Sequence, residues 1–427
     1  MNLGKIPTKT ARLDPDREAL IDIPNNRRIT YGKLDQRVKR LANGLIDQFN
    51  VVKGDRVAVL SKNSIEYMEV YFACARIGLI IQPLNWRLGV SELSRILNDG
   101  EPNVLVHADE YTDTVEKLEF KKAGVNKLSY GPESDGSYET VIANSIDSEP
   151  ASSTEVGGDD PVMILYTGGT TGESKGALHT HKSVYIGMMN QTVAERILPT
   201  DIYMLTGQMF HIPIALAINY MAHGCPLVLI NFEARLALEV IQKERVSAFL
   251  GITTMLNWMM AVEDFKDFDL SSLRNIQYGG GPMPHSVVKA ALAAFPCTII
   301  QGYGQTEGMT MSFLSQEDHI RALKGDHPER LASCGREGFV TSIKLVDPEG
   351  NLVPKDGATP GEILVQSEAN MIGYWRRPDL TAETIRDGWL WTGDIAFWDE
   401  EGYIFIVDRA KDMIISGGEN IYSTQVE

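Results

Sequence analysis

The sequence predicts an α/β protein: two subdomains of βαβ units with mostly parallel sheets, followed by a small antiparallel β subdomain. Three observations carry this. Short aliphatic runs alternate with helix-period segments as far as about Gln301, the pattern of strands buried on both faces. From Gly335 the runs become short, alternating strands separated by PEGN, PKDG and DEEG turns, as in hairpins. A chain of 427 residues, 43% hydrophobic and 23% charged, is long enough for an extensive core.

The elements follow in order. Leu34, Val38, Leu41 and Leu45 fall near helical spacing within Arg28 to Ile46, with charges between them. Val57 to Leu60 is a buried strand after a Gly-Asp turn. Asn63 or Ser64 caps the next helix, which runs to about Arg76 and stops at Gly78. Leu79 to Asn85 and Asn103 to Asp109 are further strands. Residues 130–160, rich in Ser, Gly, Asp and Glu, are expected to be an exposed loop or a subdomain boundary. The strand Val162 to Thr167 then leads through a Gly/Thr loop to a helix from about Ser183. The expected division is a large domain over 1–408, with βα subdomains to about 330 and the β subdomain at about 335–408. Residues 409–427 would be a hinge and the start of a further domain.

Forty Lys and Arg against fifty-seven Asp and Glu give a net charge of −17. Such a surface repels phosphate backbones and anionic lipid, so broad nucleic-acid binding is excluded, although a local phosphate site is not. Four scattered cysteines, with no C-x-x-C pair, indicate neither a zinc site nor a disulfide framework and fit a reducing, cytoplasmic setting. No integral membrane segment is expected. The most apolar run, Ile212 to Ile230, is broken by Asn219, His223, Gly224 and Pro226. Oligomeric state is not readable, which leaves a homodimer open.

Three segments carry chemistry. In YTGGTTGESKG, from Tyr166 to Gly176, a strand ends in glycines, threonines and a lysine. Glycines let backbone N–H groups approach an anion, hydroxyls add donors and Lys175 adds charge, so this is a polyphosphate cradle. It is not a Walker loop, because Gly176 follows the lysine. In QGYGQTEG, from Gln301 to Gly308, Tyr303 between Gly302 and Gly304 can stack on a flat heterocycle, Thr306 can bond a phosphate oxygen, and Glu307 is a hard ligand for Mg²⁺. In WTGDIAFWDEEGYIFIVDRAKD, Asp394 is expected in a loop before a hairpin, placed to accept from ribose hydroxyls, and Arg409 ends the next strand.

In this order the three segments resemble the AMP-forming acyl-CoA synthetases, the adenylate-forming superfamily that includes luciferases and peptide-synthetase adenylation domains. The family's YTSGTTGxPKG is matched with Gly168 for Ser and Ser174 for Pro; its YGxTE by Tyr303, Gly304, Thr306 and Glu307; its TGD by Thr392, Gly393 and Asp394; and its DRxKD by Asp408, Arg409, Lys411 and Asp412. The resemblance implies that a carboxylic acid attacks the α-phosphate of ATP, giving an acyl-AMP and pyrophosphate, and that coenzyme A then takes the acyl group. It implies that Thr167, Gly168, Gly169, Thr170, Thr171 and Lys175 hold the β/γ-phosphates and that Glu307 holds Mg²⁺. Gln301, Gly302, Tyr303 and the turn Gly279, Gly280 and Gly281 would flank the adenine. Asp394 would bind the ribose, with Thr306 and Arg409 on the α-phosphate side, Lys411 at the hinge, and Gly417 and Gly418 along the pantetheine path. Family members continue into a small C-terminal α+β domain, most of which this chain is expected to lack, so it is expected to turn over weakly. A non-catalytic adenylate-binding protein and a carrier-protein-loading enzyme are the alternatives.

Within the resemblance, amino-acid-adenylating domains place an Asp after the Phe that corresponds to Phe210. Here His211 stands there, with nothing anionic to hold an ammonium, so an amino-acid substrate is disfavoured. His211, Ile212, Gly279, Gly281, Gly304 and Met309 are expected to line an apolar acyl pocket in which the glycines leave room for an aliphatic or aromatic acid.

Overall fold

The computed structural model describes residues 1–167, 174–281 and 283–409, with backbone alone for 414–416 and 419–421. The chain divides into two compact units. The first holds the described residues of 1–188, 197–233 and 371–376; the second holds 189–196, 234–370 and those from Arg377 onward.

A seven-stranded sheet forms the centre of the first unit, in the order Gly373–Tyr374, Lys175–Thr180, Pro161–Thr167, Ile80–Leu84, Arg56–Leu60, Val104–Ala108 and Asn126–Tyr130. The last five are parallel, as their aliphatic runs require. Helix Ile65–Ile77 is buried along its whole length. Ser64 Oγ caps it by accepting from Tyr67 N at 3.1 Å, and Gly78 ends it at φ 76°. On one side of the sheet Ala58, Leu60, Leu84, Leu93, Ile96, Leu97 and Leu105 form a core cluster against which Tyr166 packs. Tyr203–Leu205, Leu227–Leu229 and Glu18–Asp22 pair in parallel elsewhere in this unit, with Arg27–Thr30 antiparallel at the end.

The second unit pairs Ala248–Leu250, Asn275–Gly279 and Thr298–Gln305 in parallel, then Met309–Leu314 and Arg336–Glu337 antiparallel. The predicted β subdomain is an antiparallel sheet of Ser342–Val346, Gly361–Gln366, Trp389–Trp398 and Ile385–Arg386, with Ile404–Arg409 on the long central strand. Among the described residues no helix is long and apolar enough to cross a membrane.

Three local expectations need correction. Residues 130–160 are not simply exposed loop: helix Ser137–Ala143 buries Tyr138, whose hydroxyl donates to buried Glu69 at 2.8 Å, and Asn43 Nδ2 donates to the carbonyls of Ile146 and Ser148. The Gly/Thr loop does not lead straight into a helix. Strand Lys175–Thr180, antiparallel to Pro161–Thr167, comes first, and the helix starts at His181. Asp394 sits inside strand Trp389–Trp398 rather than in a loop.

Candidate active site

The phosphate-loop candidate is described from its two stems. Thr167 ends one strand and Lys175 opens the other, in register. The stem is held rigidly: Tyr166 packs on the core cluster and its hydroxyl donates to Asp99 Oδ2 at 2.7 Å. Lys175 Nζ lies over the ring of Tyr374, 5.6 Å from its centroid. Gly168, Gly169, Thr170 and Thr171 lie outside the described residues, as do Lys411, Gly417 and Gly418.

His211 is in the first unit and exposed, its Nδ1 accepting from Ile212 N at 2.7 Å. The segment that carries it is pinned from behind. Asn63 Oδ1 accepts from Met209 N at 3.0 Å, and its Nδ2 donates to Gly207 O at 2.8 Å and Ile230 O at 3.3 Å. Beside it Trp86 donates to Gln208 Oε1 at 2.9 Å, and two cations lie over its ring, Lys62 at 5.7 Å and Arg87 at 4.7 Å. Arg87 also faces Phe210 at 5.8 Å.

The second unit gathers the other candidates around one hairpin and one strand pair. Strands Thr298–Gln305 and Met309–Leu314 meet at a tight turn closed by Gly308 N donating to Gln305 O at 3.1 Å, which brings Thr306 and Glu307 to its tip. Both are nearly buried. Tyr303 donates to Asp394 Oδ2 at 2.6 Å, and Arg409, the register partner of Asp394, places Nε 3.2 Å from Oδ1. Burial, reinforced by the Asp394 charge, pushes the Tyr303 phenol well above its ordinary range, so it stays a donor. Gly393, at φ 72°, turns the strand so that its N–H donates to Glu362 Oε1 at 3.0 Å. Burial pushes the Glu362 carboxyl upward, partly offset by that bond. Gln301 Oε1 is buried and accepts from no group among the described residues, the mark of a position awaiting a donor.

The glycines divide into two kinds. A Cβ on Gly279 would meet Gly302 O, and one on Gly304 would meet Met309 O, so backbone packing requires glycine at both. Gly280 and Gly281 have nothing within 4 Å of that position. Met309 is buried at φ 58°. Among the described residues no group of three His, Cys, Asp or Glu could hold a metal unaided. A single carboxylate ligand such as Glu307 suits Mg²⁺, which commonly takes one or two carboxylates plus substrate phosphates.

Comparison with known proteins decides the family. The AMP-binding enzyme family model matches residues 8–375. The chain belongs to the AMP-binding enzyme family. It is 35% identical to a feruloyl-CoA synthase of Amycolatopsis over all of this chain and 82% of that protein. It is 32% identical to a long-chain-fatty-acid–CoA ligase of Mycobacterium tuberculosis, again over all of this chain and 82% of the other. The crystal structure of the N-terminal domain of FACL13 from the same bacterium covers 96% of this chain and all of its own, with TM-score 0.86 and 28% identity. The fold is therefore that of an adenylate-forming N-terminal domain, and the chain is an AMP-binding enzyme of the acyl- and aryl-CoA ligase type. Sequence reasoning about this AMP-binding enzyme missed Asn63 as an anchor, Glu362, and the Lys62–Trp86–Arg87 cluster. Asn63 was visible only as a second cap candidate, and the cluster becomes visible only once Lys62 is folded against Trp86.

Proposed function

We propose that this enzyme activates a fatty or aromatic carboxylic acid with ATP and passes the acyl group to coenzyme A. The observation that carries the reading is the Tyr303–Asp394–Arg409 arrangement. A buried carboxylate is held by a neutral donor on one oxygen and a half-exposed cation on the other. Asp394 suits two ribose hydroxyls, the unpaired Gln301 Oε1 and open Gly280 suit an adenine edge, and Thr306 and Arg409 suit the α-phosphate. Lys175, with Thr167 and the glycines and threonines after it, would hold the β- and γ-phosphates. Mg²⁺ held at Glu307 would supply neutralisation of phosphate charge.

The chemistry follows from the poor electrophilicity of a carboxylate. Its oxygen attacks the α-phosphorus, one P–O bond forms, the bond to pyrophosphate breaks, and the mixed anhydride has AMP as its leaving group. A thiol then attacks the acyl carbon and AMP departs. The Trp86 ring with Lys62 and Arg87 has the chemistry to receive the nucleotide part of coenzyme A. His211 and Ile212 would face the acid, with no second charged group among these candidates to demand one on the substrate.

The test is a panel of C2 to C16 fatty acids with benzoate, cinnamate and ferulate, read by pyrophosphate release, together with calorimetric titration of ATP and AMP. Nucleotide binding and AMP formation are expected. ADP as product, or no binding of either nucleotide, overturns the proposal.

A further inference from the structure

Residues 371–376 belong to the first unit although the residues on either side of them in sequence belong to the second. They form a strap along the stem of the phosphate-loop candidate. Ile372 N donates to Leu178 O at 2.9 Å, Gly373 and Tyr374 pair with Leu178 and Ala177, and Trp375 N donates to Gly176 O at 2.7 Å. The strap is fastened at its far end too. Trp375 Nε1 donates to Asp99 O at 3.0 Å, and Arg376 pairs with Glu101 at 2.6 Å. Asp99 is also the residue that receives the Tyr166 hydroxyl, so the strap and the first stem of the loop share one anchor.

Between these fixed points the ring of Tyr374 lies 5.6 Å from the Lys175 ammonium, whereas Lys175 forms no ion pair with a carboxylate among the described residues. A flexible lysine beside a loop would otherwise sample many rotamers, each diluting the one that meets a phosphate. An aromatic face attracts the ammonium without neutralising it, so the charge stays available to an incoming anion.

We propose that Tyr374 is a positioning residue for the polyphosphate end of the nucleotide: its ring holds the Lys175 ammonium in a rotamer that meets phosphate, and the contact is kept when phosphate is bound. This rests on the reading of Lys175 as a ligand of the β- and γ-phosphates, and the test separates the two. ATP and AMP dissociation constants are measured by calorimetry on the full chain for Tyr374→Leu, Tyr374→Phe, Lys175→Ala and the Leu/Ala double variant. Tyr374→Leu is expected to weaken ATP about 2- to 5-fold, the size of an exposed cation–π contact. AMP, which lacks the distal phosphates, should be unaffected. Tyr374→Phe should retain ATP affinity, and Tyr374→Leu should add nothing in the Lys175→Ala background.

Should Tyr374→Leu fail to fold, 4-fluoro-, 3,5-difluoro- and 3,4,5-trifluorophenylalanine at position 374 keep the shape and weaken the ring face stepwise. ATP affinity should fall along that series while AMP affinity stays level. A level ATP series, or equal losses for ATP and AMP, overturns the positioning role. An unchanged ATP affinity in Lys175→Ala overturns the underlying assignment of the lysine instead.

Discussion

At the scale of single residues, Asp394 shows how a charge is kept ready for a ligand. Its carboxylate is buried, yet its two oxygens meet different partners: a phenol that does not ionise and an arginine that is half-exposed. Tyr303→Phe removes one charge-assisted hydrogen bond. It is expected to weaken ATP and AMP alike by roughly 3- to 10-fold, with a small change in melting temperature. Calorimetry on both nucleotides checks this, and a loss confined to ATP would count against the ribose role. Asn63 is the opposite case, a residue whose work is entirely internal. Asn63→Ala leaves Met209 N and the Gly207 carbonyl without their partners and should cost about 2–4 kcal/mol of stability, read by urea denaturation. The sequence offered Asn63 only as a cap because its partners lie more than a hundred residues away.

At the scale of elements, the hairpin tip that carries Thr306 and Glu307 depends on backbone packed too closely for any side chain. Gly304→Ala would drive a methyl into the carbonyl of Met309, itself already at φ 58°. The expected loss is about 2–4 kcal/mol, together with displacement of the turn, so that weakened Mg²⁺-dependent ATP binding accompanies the lower melting temperature. Unchanged stability would mean that the turn opens without strain. Helix Ile65–Ile77 and the parallel strands were legible because capping and burial are written locally, in Ser64, Gly78 and unbroken aliphatic runs. Strand Lys175–Thr180 was not, because it is short and mixed in polarity and is defined by its partners rather than by its own period.

At the scale of the whole molecule, stability should depend on pH through buried histidines. His181 is fully buried, Nδ1 accepts from Leu3 N at 3.1 Å, and burial pushes its pKa down to about 4. The folded chain therefore resists protonation that the unfolded chain accepts near pH 6.5. The stabilisation is present in full above that pH and is lost as pH falls toward 4, a difference on the order of 3 kcal/mol. Burial likewise lowers the pKa of His107 and His319. Urea denaturation at pH 7, 6, 5 and 4.5 should show falling stability, with a shallower slope in His181→Leu; parallel slopes would remove His181 from the account. His179, two residues before His181, is fully buried as well. The division of the site candidates also belongs to this scale. Thr167, Lys175 and His211 lie in one unit and Tyr303, Glu307 and Asp394 in the other, a partition that no local pattern announces.

The strap at 371–376 also constrains how the protein is made. Strand Lys175–Thr180 leaves the ribosome nearly two hundred residues before Gly373–Tyr374, the strand that borders it. At ~5–20 residues per second the nascent sheet waits on the order of 10–40 s with that border unpaired. Unpaired borders recruit stray strands, so the interval is a window in which crowded nascent chains can cross-pair. Slowing translation between the two strands should lower soluble yield without altering the finished molecule.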